Sequence, residues 1–262
     1  MPEEVLAGGV ANAGAVVRVG DEVLRPANAH SRTIHRFLSS LVRVGFHGAP
    51  VPLRIESDGR ERLRYIEGDV AIPPYPSWAQ TDEALASIAA LMRAFHDASR
   101  RVERTSDSWS DELADPSGGT IVCHNDVCLE NVVFRDGVAV GLLDFDFAAP
   151  GRPLFDLAQF ARMCVPIDDE VSTDPLGWDR GDRPARLRVV ADAYGLDPTA
   201  RHELVQIVSE SIARGGEFVR RRVESGDVNF IAMWTRMGGQ ERFDRRQRWW
   251  DEHREQFRAS LH

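Results

Sequence analysis

The sequence predicts an α+β fold, in which a small β-rich N-terminal part precedes a larger and mostly helical part. Short apolar runs separated by glycine-containing turns fill residues 1–67 and indicate strands. Apolar residues recur at three- and four-residue steps from Asp82 to Arg101, which indicates an amphipathic helix. An Asp-Gly pair between two apolar runs, near the middle of the chain, predicts a β-hairpin.

The composition is that of a globular protein and limits its partners. The 262 residues include 43% hydrophobic and 28% charged residues, enough for one domain or two lobes. A net charge of −9 argues against nucleic acid as a partner. Three cysteines without disulfide-like spacing, no signal peptide and no long apolar run predict a cytoplasmic protein that does not bind membranes. We expect a monomer or a weak dimer.

The N-terminal part reads as a small sheet with one helix. A flexible connection, Gly8–Gly14, follows the first strand, and backbone N–H groups in such loops can bind anions. A helix is predicted over Ser31–Val44, with Ser31 as its N-cap. The predicted strands are Val5-Leu6, Ala15–Val19, Glu22–Leu24, Val51–Ile55 and Arg62–Ile66.

The C-terminal part is expected to be mainly helical. Prolines at positions 73, 74 and 76 mark the linker into it, and Thr81 is suited to cap the helix over Asp82–Arg101. Residues 104–120 are polar and rich in turn formers, which predicts a loop. The later predicted helices are Phe155–Cys164, Arg183–Tyr194, Ala200–Val223 and Gln240–Ser260.

The hairpin predicts a cation site. Its strands are Val132–Phe134 and Val138–Leu143, and a hairpin of this length brings its outer ends together. Asp126 and Asn131 precede it and Asp144 follows it, so the three side chains should converge on one spot. Three oxygen-bearing side chains at one place suit Mg²⁺, which prefers hard oxygen ligands.

Other polar residues of this stretch have simpler structural interpretations. His124 is expected to brace the loop, and Asp136 to serve as a turn residue. Asp156 is predicted to cap the following helix and to bond the loop backbone. Cys123 and Cys128 are expected to be ordinary buried thiols, since three cysteines are too few for a convincing zinc site.

The central stretch resembles the aminoglycoside phosphotransferase family. HNDVCLEN at residues 124–131, LLDFD at 142–146 and GRPLFDLAQF at 151–160 match that family's catalytic loop, metal-binding segment and downstream element. The resemblance implies a protein-kinase-like, two-lobed fold. It places the nucleotide-binding N-lobe at residues 1–67 and the C-lobe, with the catalytic and substrate-binding regions, at residues 68–262.

The same resemblance implies a phosphotransferase that uses ATP or GTP with Mg²⁺. Asp126 is the implied catalytic residue, which orients an acceptor hydroxyl and accepts its proton. The implied metal ligands are Asn131, Asp144 and, with less direct support, Asp146. Nucleotide contacts are expected at the glycine-rich connection, at the usual lysine position and at backbone groups between the lobes, namely Gly8, Gly9, Asn12, Arg25, Arg64 and Ile66.

Arg25 departs from the family pattern. All 32 basic residues are arginine, so Arg25 stands where the family usually has a phosphate-binding lysine. Its planar fork can bind phosphate, but with a reach and geometry unlike those of an ammonium group. No acidic residue occurs from Pro26 to Val44, so the helix glutamate that usually pairs with the lysine is also missing, and His35 is a candidate for its place.

The acceptor is expected to be a small molecule with a hydroxyl group. The acidic net charge suits a cationic acceptor, such as an aminoglycoside. Acidic residues 168–170 and 174 could bind ammonium groups, although such an acidic run is usually a solvated loop. Two other functions stay open: a nucleotide-binding regulatory protein or pseudokinase, because the Lys–Glu pair is missing, and a metal-dependent hydrolase, which would lack paired histidine ligands.

Overall fold

The N-terminal part of the fold is an antiparallel sheet of five strands in the order β1-β2-β3-β5-β4. A computed structural model of the chain describes residues 3–6, 14–103 and 108–262. The inner strands join short apolar runs through tight turns, as the sequence predicts. The strands are β1 (Glu4–Val5), β2 (Val17–Val19), β3 (Glu22–Pro26), β4 (Pro52–Ile55) and β5 (Arg60–Arg64).

A helix, α1 (Ser31–Arg43), follows β3 and buries Ile34, Phe37 and Leu41 on one face. Its N-cap is His30 rather than Ser31, so the predicted cap is wrong by one residue. The Ser31 hydroxyl instead accepts a hydrogen bond from the backbone N–H of Asn28 at 2.9 Å, which closes the turn before the helix.

The chain leaves the first sheet through Gly68. Immediately afterwards β6 (Asp69–Val70) pairs with the hairpin strand β8 (Val132–Arg135), which pairs in turn with β9 (Val138–Leu142). Gly68 has φ +146°, and a Cβ atom there would lie 2.4 Å from the backbone oxygen of Phe134. Only glycine therefore allows the connecting segment to approach the hairpin this closely.

The predicted hairpin is confirmed. Arg135 pairs with Val138, which leaves Asp136 and Gly137 as the two turn residues. Both have positive φ, as a type I′ turn requires, and Asp tolerates this conformation better than most residues. A second antiparallel ribbon is formed by β7 (Ile121–Cys123) and β10 (Ala149–Gly151). In the sequence, these two strands precede and follow the loop and the hairpin.

The rest of the molecule is helical. Thr81 caps the second helix by accepting from the Ala84 amide, as predicted, and the predicted helices at 155–164, 183–194, 200–223 and 240–260 are all present. Residues 228–236 form a helix that the sequence reading missed. The helices are α2 (Asp82–Ser99), α3 (Pro153–Cys164), α4 (Glu170–Thr173), α5 (Arg183–Tyr194), α6 (Pro198–Glu224), α7 (Val228–Arg236) and α8 (Gly239–Ser260).

One contiguous apolar core joins these elements. It extends from α1 through α2 and the hairpin to α3, α5, α6 and α8. Phe95 on α2 lies near its centre, with ring contacts to Phe37, Phe46 and Phe145. The polar residues of the central stretch therefore sit at the end of a rigid hairpin that is packed on α2.

Gly68 provides a test of this connection. We expect Gly68→Ala to lower the free energy of unfolding by more than about 3 kcal/mol, because backbone strain and a collision with Phe134 add together. Gly45→Ala is the matched control: Gly45 also has positive φ but open space around it, so backbone strain alone should cost about 1 kcal/mol. Urea unfolding of both variants checks this, and equal losses would show that the close approach is unimportant.

Candidate active site

The loop after β7 is held in place by the carboxylate of Asp156, which is fully buried at the start of α3. Its two oxygens accept from the backbone N–H groups of His124, at 2.8 Å, and Asn125, at 2.7 Å. A third bond comes from His96 Nε2 on α2, at 2.8 Å. The predicted bond to the loop backbone is confirmed. The predicted helix cap is wrong, because the N-cap is Arg152 and no side chain caps it.

His124 braces the same loop, as the sequence suggested. Its Nε2 donates to the backbone oxygen of Leu143 at 2.7 Å, and its Nδ1 accepts from the backbone N–H of Asp126 at 3.3 Å. Burial lowers the pKa of His124, which keeps the ring neutral in the one tautomer that both bonds require. His96 is likewise bonded on both nitrogens, to Asp156 and to the Tyr194 hydroxyl. Both nitrogens of each histidine are therefore engaged by groups of this chain.

The structure brings Asp126, Asn131 and Asp144 together. Asn131 Nδ2 donates to the backbone oxygen of Asp126 at 2.9 Å and to its carboxylate at 3.3 Å. The Leu143 amide donates to the backbone oxygen of Asn131 at 2.8 Å, which fixes the far end of the hairpin beside the loop. Burial, with the negative charge of Asp144 adding to it, raises the pKa of Asp126 well above its usual range.

Arg25 is the hub of a buried ion cluster. On β3 its guanidinium donates to Glu61 on β5 at 2.6 Å and to Asp144 at 2.7 Å, and it also bonds Asp146. Glu61 accepts in addition from His35 on α1 at 2.8 Å. The acidic partner of Arg25, which α1 lacks, is thus Glu61 on β5. His35 joins the cluster through its hydrogen bond to Glu61.

The charges of this cluster act on one another. Burial alone would lower the pKa of Arg25, but its three carboxylate neighbours outweigh burial and raise it. Burial likewise opposes ionisation of Asp144, yet Arg25 holds the pKa of Asp144 below its usual value. Burial and the charge of Asp144 raise the pKa of Asp146 to about 6. Asp144 and Asp146 therefore share the charge of Arg25 unequally, since the pKa of Asp144 is lowered and that of Asp146 is raised.

Two cavities of about 320 Å³ each meet at this cluster. The first lies between the five-stranded sheet and the hairpin, and it contains Arg25, Arg64, Ile66, Asn131 and Asp144 in its lining. The predicted contacts Gly8, Gly9 and Asn12 lie outside the described residues. A larger cavity of about 830 Å³ beside α1 contains none of the predicted site residues.

The second cavity lies on the helical side and is lined by Asp126, Asn131 and Asp144 at one end. Its walls are mostly apolar and come from α6, α7 and α8, where Phe218, Phe230 and Trp234 are representative. Three arginines, Arg162, Arg242 and Arg246, complete its lining. The sequence reading singled out none of these residues.

The acidic run at 168–174 is engaged with arginines of this chain. Asp168 accepts from Arg242 at 2.7 Å, and Asp169 lies 3.5 Å from Arg245. The other two carboxylates pair similarly, Glu170 with Arg183 and Asp174 with Arg180. The possible role of this run in binding a substrate ammonium group is therefore not supported, because its charges are already neutralised.

Two of the missed residues had a sequence signal. Glu61 lies two positions before Leu63 on β5. Because alternate residues of a strand share a face, Glu61 brings a charge to the buried face of the sheet that also carries Leu63. Arg246 lies four residues before Trp250 on α8 and shares its buried face in the same way. A charged residue on an apolar face is the pattern that marks both.

The fold and this loop–hairpin arrangement between its two lobes define a protein of the protein-kinase-like class. Comparison with known families makes the assignment specific, because residues 100–203 match the model of the phosphotransferase enzyme family. The trifolitoxin immunity protein of Rhizobium leguminosarum bv. trifolii is 31% identical over 192 residues, which cover 71% of this chain and 72% of that protein. The chain belongs to the phosphotransferase enzyme family.

Solved structures agree with the fold. A choline/ethanolamine kinase family protein from Mesorhizobium loti superimposes with a TM-score of 0.66 at 17% identity, covering 100% of this chain and 92% of that one. The gentamicin complex of APH(2")-IIa gives a TM-score of 0.60 at 16% identity, with coverage of 88% and 89%. Across residues 3–6, 14–103 and 108–262, no helix has the length and apolar character needed to cross a membrane.

Asp156 offers a stability test with a defined pH dependence. Burial opposes its ionisation, but the hydrogen bond from His96 and the other donors outweigh this and lower its pKa. Its ionised form therefore stabilises the fold above the unfolded pKa of about 4, and that stabilisation is lost as the pH falls through the lower folded pKa. We expect Asp156→Asn to cost about 3 kcal/mol near neutral pH and less in acid.

Denaturant unfolding of wild type and Asp156→Asn at about pH 7 and about pH 3 measures this difference. Asp251→Asn, at an exposed position on α8, is the control and should leave the free energy of unfolding within about 0.5 kcal/mol of wild type. A gap between wild type and Asp156→Asn that stays constant or widens in acid would contradict the role given to the ionised carboxylate.

Proposed function

We propose that this chain transfers the γ-phosphoryl group of ATP or GTP to a hydroxyl group of a small molecule. The observation that carries the proposal is the meeting of two cavities at Asn131 and Asp144, with Asp126 in the lining of the second cavity. One cavity opens towards the backbone between the lobes and the other towards the helical part, so a nucleotide and an acceptor can approach the same carboxylate from opposite sides.

The donor set at the meeting point fits Mg²⁺. Asn131 uses its amide nitrogen to bond Asp126, which leaves its oxygen for a cation. Asp144 and Asp146 each bond Arg25 through Oδ1, so each keeps a second oxygen. Hard oxygen ligands of this kind would hold Mg²⁺, whose charge would neutralise the phosphate oxygens of the nucleotide.

The nucleotide would bind in the first cavity. Adenine or guanine would bond the backbone oxygen of Arg64 and the backbone N–H of Ile66, between apolar side chains such as Val133 and Leu143. Arg25 would face the phosphates, together with backbone groups near Gly8, Gly9 and Asn12. The guanidinium fork suits phosphate oxygens, and Glu61 holds it in position.

Asp126 would act on the acceptor. Its carboxylate would orient the hydroxyl and accept its proton while the hydroxyl oxygen bonds the γ-phosphorus and the bond to the β-phosphate oxygen breaks. Its raised pKa suits a group that takes up a proton during the reaction. Phosphoryl transfer depends mainly on positioning and charge stabilisation, so the loop held by Asp156 would contribute by fixing the position of Asp126.

A regulatory role without efficient catalysis is the second candidate. The cluster around Arg25 favours it, because the arginine already occupies one oxygen of each predicted metal carboxylate. ATP affinity and basal ATP hydrolysis with Mg²⁺ separate the two functions. A regulatory protein would bind ATP without hydrolysing it, whereas a phosphotransferase would do both.

The relatives give limited guidance on the acceptor. The Rhizobium relative is a trifolitoxin immunity protein, which is compatible with phosphorylation of a toxic compound. The sequence suggested a cationic acceptor, and gentamicin in one structural neighbour is an example of that class. The arginines that line the second cavity argue against a cationic acceptor for this chain.

Asp126→Asn tests the proposed catalytic residue. Phosphate transfer, or basal ATP hydrolysis where no acceptor is known, should fall by about 10²–10⁴-fold because the amide cannot accept the proton. Nucleotide affinity should change little. Asp136→Asn is the matched control, since Asp136 is exposed in the hairpin turn and Asn tolerates its positive φ. Turnover retained in Asp126→Asn would refute the assignment.

A further inference from the structure

The three arginines of the second cavity are at least partly buried, and two of them are incompletely paired. Arg246 is only 5% exposed, and the Nε atoms of Arg242 and Arg246 are buried without a hydrogen-bond acceptor among the described residues. A buried guanidinium is costly unless its donors are satisfied. Both side chains also line a cavity of about 320 Å³ that is large enough for a small molecule.

The protein supplies too few negative charges for these arginines. Asp168 is shared, at 2.7 Å from Arg242 and 4.0 Å from Arg246. Burial lowers the pKa of Arg246 to about 9; Asp168 opposes this effect, and neighbouring guanidinium groups add to it. The charge of Asp169 also acts on Arg246, but Asp169 lies 3.5 Å from Arg245.

Arg162 connects the arginines to the candidate catalytic carboxylate. Its Nε donates to the Ser211 hydroxyl at 3.2 Å, and the charges of both Asp126 and Arg242 act on it. A Cβ atom at position 215 would lie 3.2 Å from its Cζ, so Gly215 leaves room for the guanidinium against α6. The cavity thus runs from an acidic end at Asp126, Glu130 and Asp144 to a basic end at α8.

The remaining walls of the cavity are apolar. They combine aromatic rings with flexible methionine side chains, and Phe218 stands edge-on to both Phe147 and Phe230. Such surfaces bind the flat or branched apolar body of a ligand. The apolar and aromatic lining residues are Leu113, Phe147, Met163, Phe218, Val219, Phe230, Met233, Trp234, Met237 and Phe243.

We propose that the acceptor is an apolar alcohol carrying a carboxylate or phosphate group, which Arg246, Arg242 and Arg162 bind. Guanidinium groups match the geometry of both anions, and the anion supplies negative charge at Arg242 and Arg246, which share the carboxylate of Asp168. With its anionic group at α8, the acceptor body lies against the aromatic walls and its hydroxyl points towards Asp126. The inference rests on the proposed phosphotransfer for the reaction, but its charge preference is measurable without it.

A matched series of alcohols tests the charge preference. The probes are 3-(hydroxymethyl)benzoate, 3-(hydroxymethyl)phenyl phosphate, 3-(hydroxymethyl)benzamide and 3-(hydroxymethyl)benzylamine, which share one aromatic alcohol and differ in charge. Binding to the full chain is measured by ligand-observed NMR titration, and phosphate transfer from ATP with Mg²⁺ by ADP release. We expect the better anion to bind about tenfold or more tightly than the amide, and the amine most weakly.

Arg246→Gln and Arg242→Gln locate the preference. Each should reduce the advantage of the anionic probes over the amide by about tenfold while leaving affinity for the amide unchanged. Arg248→Gln is the matched control, because Arg248 lies two residues further along α8 and is exposed. The two separate substitutions, with the wild-type series, keep the test decisive should one variant fold poorly.

The outcomes separate this inference from the proposed function. Equal binding of all probes, tighter binding of the amine, or an anion preference that survives both arginine substitutions would overturn the inference. An anion preference that disappears in Arg246→Gln supports it, whether or not phosphate is transferred. Such binding in a chain with no ATP hydrolysis and no transfer to any probe would instead count against the phosphotransferase.

Discussion

The geometry of the candidate site depends on one buried carboxylate. Asp156 accepts two consecutive backbone N–H groups of the loop after β7 and a third donor from α2. A loop made of polar residues would otherwise leave these donors unsatisfied in the interior, at a cost of several kcal/mol. Because Asp156 lies on α3, the packing of the helical lobe fixes the position of the loop through these three hydrogen bonds. The loop in turn positions Asp126.

The Arg25 cluster ties the two lobes together with charge. Arg25 and Glu61 belong to the N-terminal sheet, whereas Asp144 and Asp146 follow the hairpin. Buried ion pairs are seldom a net source of stability, because desolvation offsets most of the attraction. Their value here is geometric: the cluster holds the sheet against the hairpin at the place where the two cavities meet. An arginine in this position, with several donors in a fixed fork, can bond all three carboxylates at once.

Much of the site was accessible from the sequence because its signals are local. The Asp-Gly turn locates the hairpin, which carries Asn131 to Asp144 after a register shift between Val133 and Phe134. Helix periodicity located four of the later helices to within a few residues. Helix α7 escaped because it has only nine residues, too few to repeat an apolar pattern over several turns. The predicted cap of α1 and the predicted capping role of Asp156 are wrong, because hydrogen bonds at helix ends depend on which groups the tertiary packing brings there.

The sequence by itself determined the fold class and the family, and it predicted that Asp126, Asn131 and Asp144 lie together, since these depend on residue spacing within one short stretch. Only the tertiary structure decided the partners of the charged groups. Arg25 reaches Asp144 across 119 positions and Glu61 across 36, and Arg242 reaches Asp168 across 74. Charged side chains have many possible partners of opposite sign, so the choice among them is made by strand register and helix packing rather than by distance along the chain.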